Sequence, residues 1–237
     1  MGYTKGQIIN ACSNEANKDI RTLYKADFIN YKGKTEDTNE YYTEIVSEWL
    51  LEHLELLQKI PVVSRTSGYR VLSHNGIIKN ANSNRTEEII AMKMFQQSTI
   101  SGLGKIIDYQ TPLKNTSSDP VGKIDLLSYD GNILRLLELK KPDSQETMLR
   151  CVVEGYTYSK TIDKKILKDS FSDILSKDTT IKVNPFVFVS SKSNPYLEMK
   201  DCRPMLRKLI DVLDCKPLYI KDENGIYTVT EEIEWKI

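Results

Sequence analysis

The chain has 237 residues, with 33 Lys and Arg against 33 Asp and Glu, so its net charge is zero; 40% of residues are hydrophobic and 28% charged. This length allows one sizeable domain, or a compact core with an added subdomain, and the sparse glycine and proline exclude collagenous and disordered chains. A neutral chain does not coat nucleic acid through overall basic charge, although a local basic groove around an acidic site stays open to it.

Residues 4 to 60 read as mostly helical. The clearest stretch is Glu40 to Ile60, where Ile45, Trp49, Leu50, Leu54 and Leu57 recur at helical spacing and Pro61 provides the stop. Residues 61 to 84 are polar, with one strand expected at Tyr69 to Leu72, and form the join between an N-terminal helical region (1–80) and a core (81–237). Asn84 is placed to cap a helix running through Gln97, with Glu87 and Glu88 in its first turn. Strands are expected at Lys105 to Gln110, Lys123 to Tyr129 and Ile133 to Lys140, the last two joined by a hairpin at Asp130-Gly131-Asn132. Helices follow at Ser144 to Lys160 and Lys164 to Leu175. A short buried strand comes next at Pro185 to Val189, then a helix over Leu197 to Leu213. A closing hairpin spans Pro217 to Thr230. Strands interleaved with helices predict a mixed α/β fold with helices packed on a central mixed sheet.

Cys12, Cys151, Cys202 and Cys215 form no C-x-x-C pair, which argues against a zinc cage and for free thiols in a cytoplasmic setting. Two isolated histidines, His53 and His74, argue against Ser-His or Cys-His catalysis. No apolar run approaches the roughly 18 to 20 residues that span a bilayer, and no secretion signal is expected.

The chemistry concentrates in Gly122-Lys123-Ile124-Asp125-Leu126-Leu127 and Leu136-Leu137-Glu138-Leu139-Lys140. On a strand Glu138 and Lys140 share one face while Leu137 and Leu139 take the other. Leucines on both faces mark a central strand, where charges are costly unless paired or holding a metal. If Gly131-Asn132 is the hairpin loop, Asp125 falls opposite Glu138, with Cβ atoms about 5 Å apart. If Asp130-Gly131 is the loop, Asp125 sits opposite Leu136. Either even-length loop puts Asp125, Glu138 and Lys140 on one face. Two carboxylates so close call for a cation between them, and hard oxygen donors suit Mg²⁺ or Mn²⁺.

The pattern Asp125-x12-Glu138-x-Lys140 on two adjacent strands resembles the PD-(D/E)xK, or restriction-endonuclease-like, nuclease superfamily, although Ile124 stands where that motif has proline. The resemblance covers residues 84 to 190. It implies a restriction-endonuclease-like core and Mg²⁺-dependent hydrolysis of nucleic-acid phosphodiesters, DNA before RNA. Asp125 and Glu138 would hold the metal with help from the Leu139 carbonyl, and Lys140 would orient or deprotonate the attacking water. Whether burial lowers the lysine's pKa or the carboxylates raise it is open at this stage. The resemblance also implies a glutamate on the preceding helix; Glu87 is narrowly favoured over Glu88 for its position near the centre of the apolar face. On the following helix Glu154-x-x-x-Tyr158 stands where exonuclease branches carry Gln-x-x-x-Tyr, and Arg150 is placed to balance Glu146 or reach a phosphate. The rival readings are a catalytically silent module of the same fold, binding nucleic acid or protein, and an interaction protein whose hairpin charges are ordinary ion pairs. A basic run, Lys160, Lys164, Lys165 and Lys168, fits a solvated helix face as well as a phosphate track.

Overall fold

In the first helix, α1 (Lys5–Ala16), the sequence Thr4-x-x-Gln7 forms a capping box: the Thr4 hydroxyl accepts the Gln7 N–H while the Gln7 side chain accepts that of Thr4. The computed structural model describes residues 2–63, 65–80, 83–115 and 122–231. Two 3₁₀ turns follow, Ile20–Lys25 and Asp27–Asn30. The long helix expected over Glu40 to Ile60 is instead two, α2 (Tyr42–Glu52) and α3 (Leu54–Gln58). His53 leaves the helical region (φ −124°, ψ 36°), its ring stacked 4.1 Å from Trp49 and its Nδ1 2.8 Å from the Trp49 carbonyl oxygen. A side chain that takes over a backbone partner competes with the helix ladder.

The strand expected at Tyr69 to Leu72 does not form. The Tyr69 N–H is taken by the Ser170 hydroxyl and its own hydroxyl accepts the Asp163 N–H, which pins the segment as an irregular strap. Residues 64, 81 and 82 of this join lie outside the described residues. Helix α4 (Thr86–Gln97) has Arg85, not Asn84, at its N-cap, and no side-chain capping bond. Its first-turn glutamates complement the helix dipole instead.

The sheet runs in order β1 (Thr99–Ile100), β2 (Gly104–Pro112), β3 (Lys123–Tyr129), β4 (Ile133–Lys140), β5 (Thr180–Phe188), β6 (Leu218–Glu223) and β7 (Ile226–Thr230). Pairing is antiparallel from β1 to β4, parallel for β4–β5 and β5–β6, and antiparallel for β6–β7. A bridge between Ser101 and Thr228, with the Val229 N–H donating to the Ser101 carbonyl, brings the two edges together, so the sheet is nearly closed into a barrel. The β3–β4 and β6–β7 hairpins turn where glycine supplies positive φ: Gly131 at +100°, and Gly225 at +87° after Asn224 at +56°.

Between β4 and β5 lie α5 (Met148–Thr161), capped by the Thr147 hydroxyl, and α6 (Lys164–Ser170). The helix expected over Leu197 to Leu213 is broken into α7 (Asn194–Lys200) and α8 (Pro204–Val212). Pro204 is the reason, because a following proline drives its neighbour out of the helical region, and Arg203 sits at φ −134°, ψ 69°. The sheet divides the interior in two. Its inner face encloses Ile90, Ala91 and Met94 of α4 against Leu126, Leu137, Leu139, Phe186 and Ile220. Its outer face packs Leu134, Leu136, Val183 and Val187 against α5, α8 and the N-terminal helices, which share this one core. Among the described residues no helix is long and apolar enough to cross a membrane.

Candidate active site

The β3–β4 register pairs Leu126 with Leu137, Leu127 with Leu136, Ser128 with Arg135 and Tyr129 with Leu134. The Asp130 N–H reaches the Ile133 carbonyl at 3.3 Å, so Gly131-Asn132 is the loop and one further step of the ladder sets Asp125 opposite Glu138. This selects the first of the two registers open from sequence. Asp125 accepts the Leu139 N–H on Oδ2 and the Gln110 amide on Oδ1, both at 2.9 Å.

Lys140 is 4% exposed. Its ammonium donates to Glu138 Oε1 and Glu154 Oε2, each at 3.0 Å, and forms an ion pair with Glu146 at 2.8 Å. Tyr158 donates to the other Glu154 oxygen at 3.0 Å, and its hydroxyl lies 3.4 Å from that of Tyr24. Arg150 pairs with Glu146 at 3.0 Å. Helix α5 comes this close to the sheet because position 155 is glycine: a Cβ there would meet Val183 at 3.1 Å and Glu138 Cβ at 3.8 Å.

From the other side, α4 brings Glu87 to the Lys141 N–H at 3.2 Å. Glu88 also lines the cleft, where it pairs with Arg85 at 3.3 Å. Thus the structure gathers Asp125, Glu138, Lys140 and Glu87 around the end of β4 and leaves Glu88 on the wall. Glu138, Lys140, Glu154 and Tyr158 are buried and do not line the open cleft, and Arg150 is partly buried on Glu146. That cleft, about 470 Å³, is lined by Asp125, Glu87, Gln110, Arg85, Lys123 and Lys141 among others, so three cations rim an acidic floor.

The electrostatics are those of a surplus of carboxylates. Burial, reinforced by Glu87 and Glu154 and opposed by Lys140, pushes Asp125 up to about 7. Burial and the neighbouring Glu154 raise Glu138 well above the ordinary carboxylate range. Burial also raises Glu87. Burial would raise Glu154 as well, but Lys140, Arg150 and Tyr158 hold it below the ordinary value. For Lys140 burial works downward, yet the surrounding carboxylates win and raise it. In this arrangement the carboxylates around Lys140 favour its charged form.

Among the described residues no three carboxylate, imidazole or thiol groups form a ready-made metal cage. Glu138 Oε2 is buried without a partner, whereas both Asp125 oxygens already accept hydrogen bonds, so these carboxylates are the oxygen donors a hard cation would have to use.

Sequence reasoning missed Gln110, Glu146 as a lysine partner, Tyr24 and the basic rim. Gln110 reaches Asp125 because it adopts φ +48°, just past a bulge between Ile106 and Asp108. No periodicity signals that kink. Tyr24 comes from a 3₁₀ turn more than a hundred residues away, and only the packing of α5 reveals it. No protein-family model, no curated protein and no solved structure matches this chain.

Proposed function

We propose that this chain is a divalent-metal-dependent nuclease of the PD-(D/E)xK type, with a restriction-endonuclease-like core, hydrolysing nucleic-acid phosphodiesters and DNA by preference. The observation that carries the reading is the convergence of Asp125, Glu138, Lys140 and Glu87 beneath a cleft rimmed by Arg85, Lys123 and Lys141. Asp125, Glu138 and the Leu139 carbonyl would hold Mg²⁺ or Mn²⁺, with Glu87 in its outer or inner shell. When bound, the ion would polarise the phosphoryl oxygen and ease deprotonation of water. The chain's own groups do the rest. The rim cations hold the phosphates, Lys140 as an ammonium orients the nucleophile and offsets charge at phosphorus, and Gln110 fixes the Asp125 carboxylate. Water attacks phosphorus and one P–O ester bond breaks.

The reading of a catalytically silent module rests on one observation, that Lys140 is fully enclosed by three carboxylates. Single-turnover assays on single- and double-stranded DNA and on RNA, with Mg²⁺ or Mn²⁺, decide between the two. Cleavage abolished by Glu138→Gln supports the nuclease; metal binding by calorimetry without cleavage of any substrate leaves the silent module.

A further inference from the structure

A groove of about 420 Å³ adjoins the cleft beside Asp125 and shares Arg85, Glu88, Gln110 and Lys123 with it. One wall is the continuation of the strap, residues 73 to 80, and the other is α4. Ile77, Ile78, Ile89 and Met92 give the groove an apolar side. Lys79 and Lys123 have no ion-pair partner among the described residues. Among the described residues of the lining the only carboxylate is Glu88, already paired with Arg85 at 3.3 Å.

His74 stands in this groove in a fixed pose. Its Nδ1 lies 2.6 Å from Asp108 Oδ1, and its ring is stacked on Tyr109 with centroids 4.2 Å apart. Asp108 is 2% exposed and also accepts the Tyr109 N–H at 2.9 Å and the Thr111 hydroxyl at 3.1 Å. A carboxylate only accepts, so the imidazole gives it the Nδ1 proton. Nε2 is left with no hydrogen-bond partner among the described residues. The Tyr109 hydroxyl accepts the Gly76 N–H at 3.2 Å, so β2 holds both the ring and the strap that carries it. A side chain fixed in advance loses little further freedom when a ligand arrives. Two residues along β2, Gln110 holds Asp125, and two residues of chain span at most roughly 7 Å. The His74 and Asp125 networks are thus anchored on one strand, on the scale of a single nucleotide step.

We infer that the substrate is an unpaired strand that runs from the cleft into this groove, and that His74 Nε2 donates to the phosphate beside the one that is cut. With Nδ1 bonded to Asp108, a donor at Nε2 makes the bound ring an imidazolium between two anions. Lys79 and Lys123 add their charge to the same strand. The apolar side suits an unstacked base, which a duplex keeps inside its own stack. The inference rests on the nuclease reading for its choice of ligand, and it names the strand form and a contact that the reading leaves open.

The test is fluorescence anisotropy of a short labelled single-stranded DNA, and of its duplex, titrated with the full chain over a range of salt concentrations. It is run in EDTA, and with Mg²⁺ in the Glu138→Gln background. Single strand should bind more tightly than duplex. His74→Asn keeps a donor for Asp108 and deletes Nε2; it should raise the single-strand Kd about tenfold. It should also lower the salt slope by about 0.7, the value for one lost phosphate contact. Lys79→Gln, on the exposed side of the strap, should lower the slope by a similar amount without touching the fold. His74→Gln keeps a donor near Nε2 and gives up Asp108, and should bind better than His74→Asn. An unchanged slope in His74→Asn or in Lys79→Gln would overturn the inference. So would tighter binding of duplex, no binding under either condition, or the reverse order of the two His74 variants, which marks a strap anchor alone. Cleavage, assayed as above, judges the nuclease reading separately. Strand binding that depends on His74, with no cut of any substrate, sinks that reading and leaves the groove; cleavage and binding indifferent to His74 sink the groove alone.

Discussion

At the scale of single residues, Lys140 decides most. Its ammonium neutralises part of a buried group formed by Glu138, Glu146 and Glu154. Lys140→Ala strands those carboxylates, and breaking a buried ion pair by removing one partner costs about 3–5 kcal/mol. Chemical denaturation without metal should show a loss of that order, and saturating Mn²⁺ should return part of it. On the nuclease reading, single-turnover cleavage should fall by about two orders of magnitude or more at equal metal occupancy, since an ammonium is not a ligand. Wild-type stability in Lys140→Ala would show that the cluster is not charged as described. Glu138→Gln should act in the opposite sense, raising metal-free stability by relieving carboxylate repulsion while weakening Mn²⁺ binding in calorimetry. The helix glutamates offer a sharper comparison. Glu87 touches the Lys141 N–H whereas Glu88 pairs with exposed Arg85, so Glu87→Ala should reduce cleavage and metal affinity and Glu88→Ala should leave both near wild type. Equal effects would dissociate α4 from the site.

At the scale of elements, α5 is the part on which the site leans. Its N-terminus is tied to α2 and α7 through Glu198, which accepts the Met148 N–H and the Thr43 hydroxyl, both at 2.7 Å, and faces Arg203 at 3.7 Å. Burial raises the Glu198 pKa, although the Met148 N–H, Thr43 and Arg203 oppose it. A carboxyl with a raised folded pKa gives stability that is fully present below its unfolded value, about 4.3, and is lost as pH rises through the folded value. Thermal unfolding of wild type and Glu198→Gln from pH 4 upward should therefore show the difference moving in favour of glutamine as pH increases. A difference independent of pH would mean that Glu198 titrates normally. Gly155 sets the other contact of the same helix. Gly155→Val would drive a branched side chain into Val183 and Glu138, and overpacking of this kind costs about 1–3 kcal/mol. The same shift would move Glu154 away from Lys140, so on the nuclease reading activity measured under folding conditions should also drop.

At the scale of the whole molecule, the nearly closed sheet separates two interiors and places the end of β4 where both meet. Glu87 arrives from α4 on the inner face, and Glu154 and Tyr158 arrive from α5 on the outer face. The N-terminal helices are part of the outer core, and one of their turns lends Tyr24 to Tyr158. Removing residues 1 to 60 would delete the buried Leu23, Ile29, Ile45, Leu50 and Leu57 and expose the apolar surface they cover on α5 and α8. Such large apolar burial stabilises at about 25 cal/mol per Å². The truncated chain should accordingly unfold at much lower denaturant, or express insoluble. A truncation with an unchanged midpoint would show the outer core to be dispensable.

What the sequence by itself determined is local and periodic. Alternation placed Glu138 and Lys140 on one face of a central strand, and Asp130-Gly131-Asn132 placed the hairpin, because side-chain direction on a strand and the glycine φ of a tight turn are set within a few residues. The placement of Glu87 in the first turn of α4 obeys the same short-range rules, and the even-length loops both kept Asp125 on the face of Glu138. Tertiary structure decided the rest. It chose between the two loop registers, broke the long helix at His53, and turned Tyr69 to Leu72 from a strand into a strap held by Ser170 and Asp163. It also decided how many carboxylates surround Lys140, since Glu138, Glu146 and Glu154 reach it from separate elements. Gln110, Tyr24 and the rim of Arg85, Lys123 and Lys141 could not be read in advance, since each owes its place to a bulge, a distant turn or the meeting of three elements. Spacing along a chain reports faces and turns, whereas the energy of a buried charge depends on neighbours that only the folded molecule assembles.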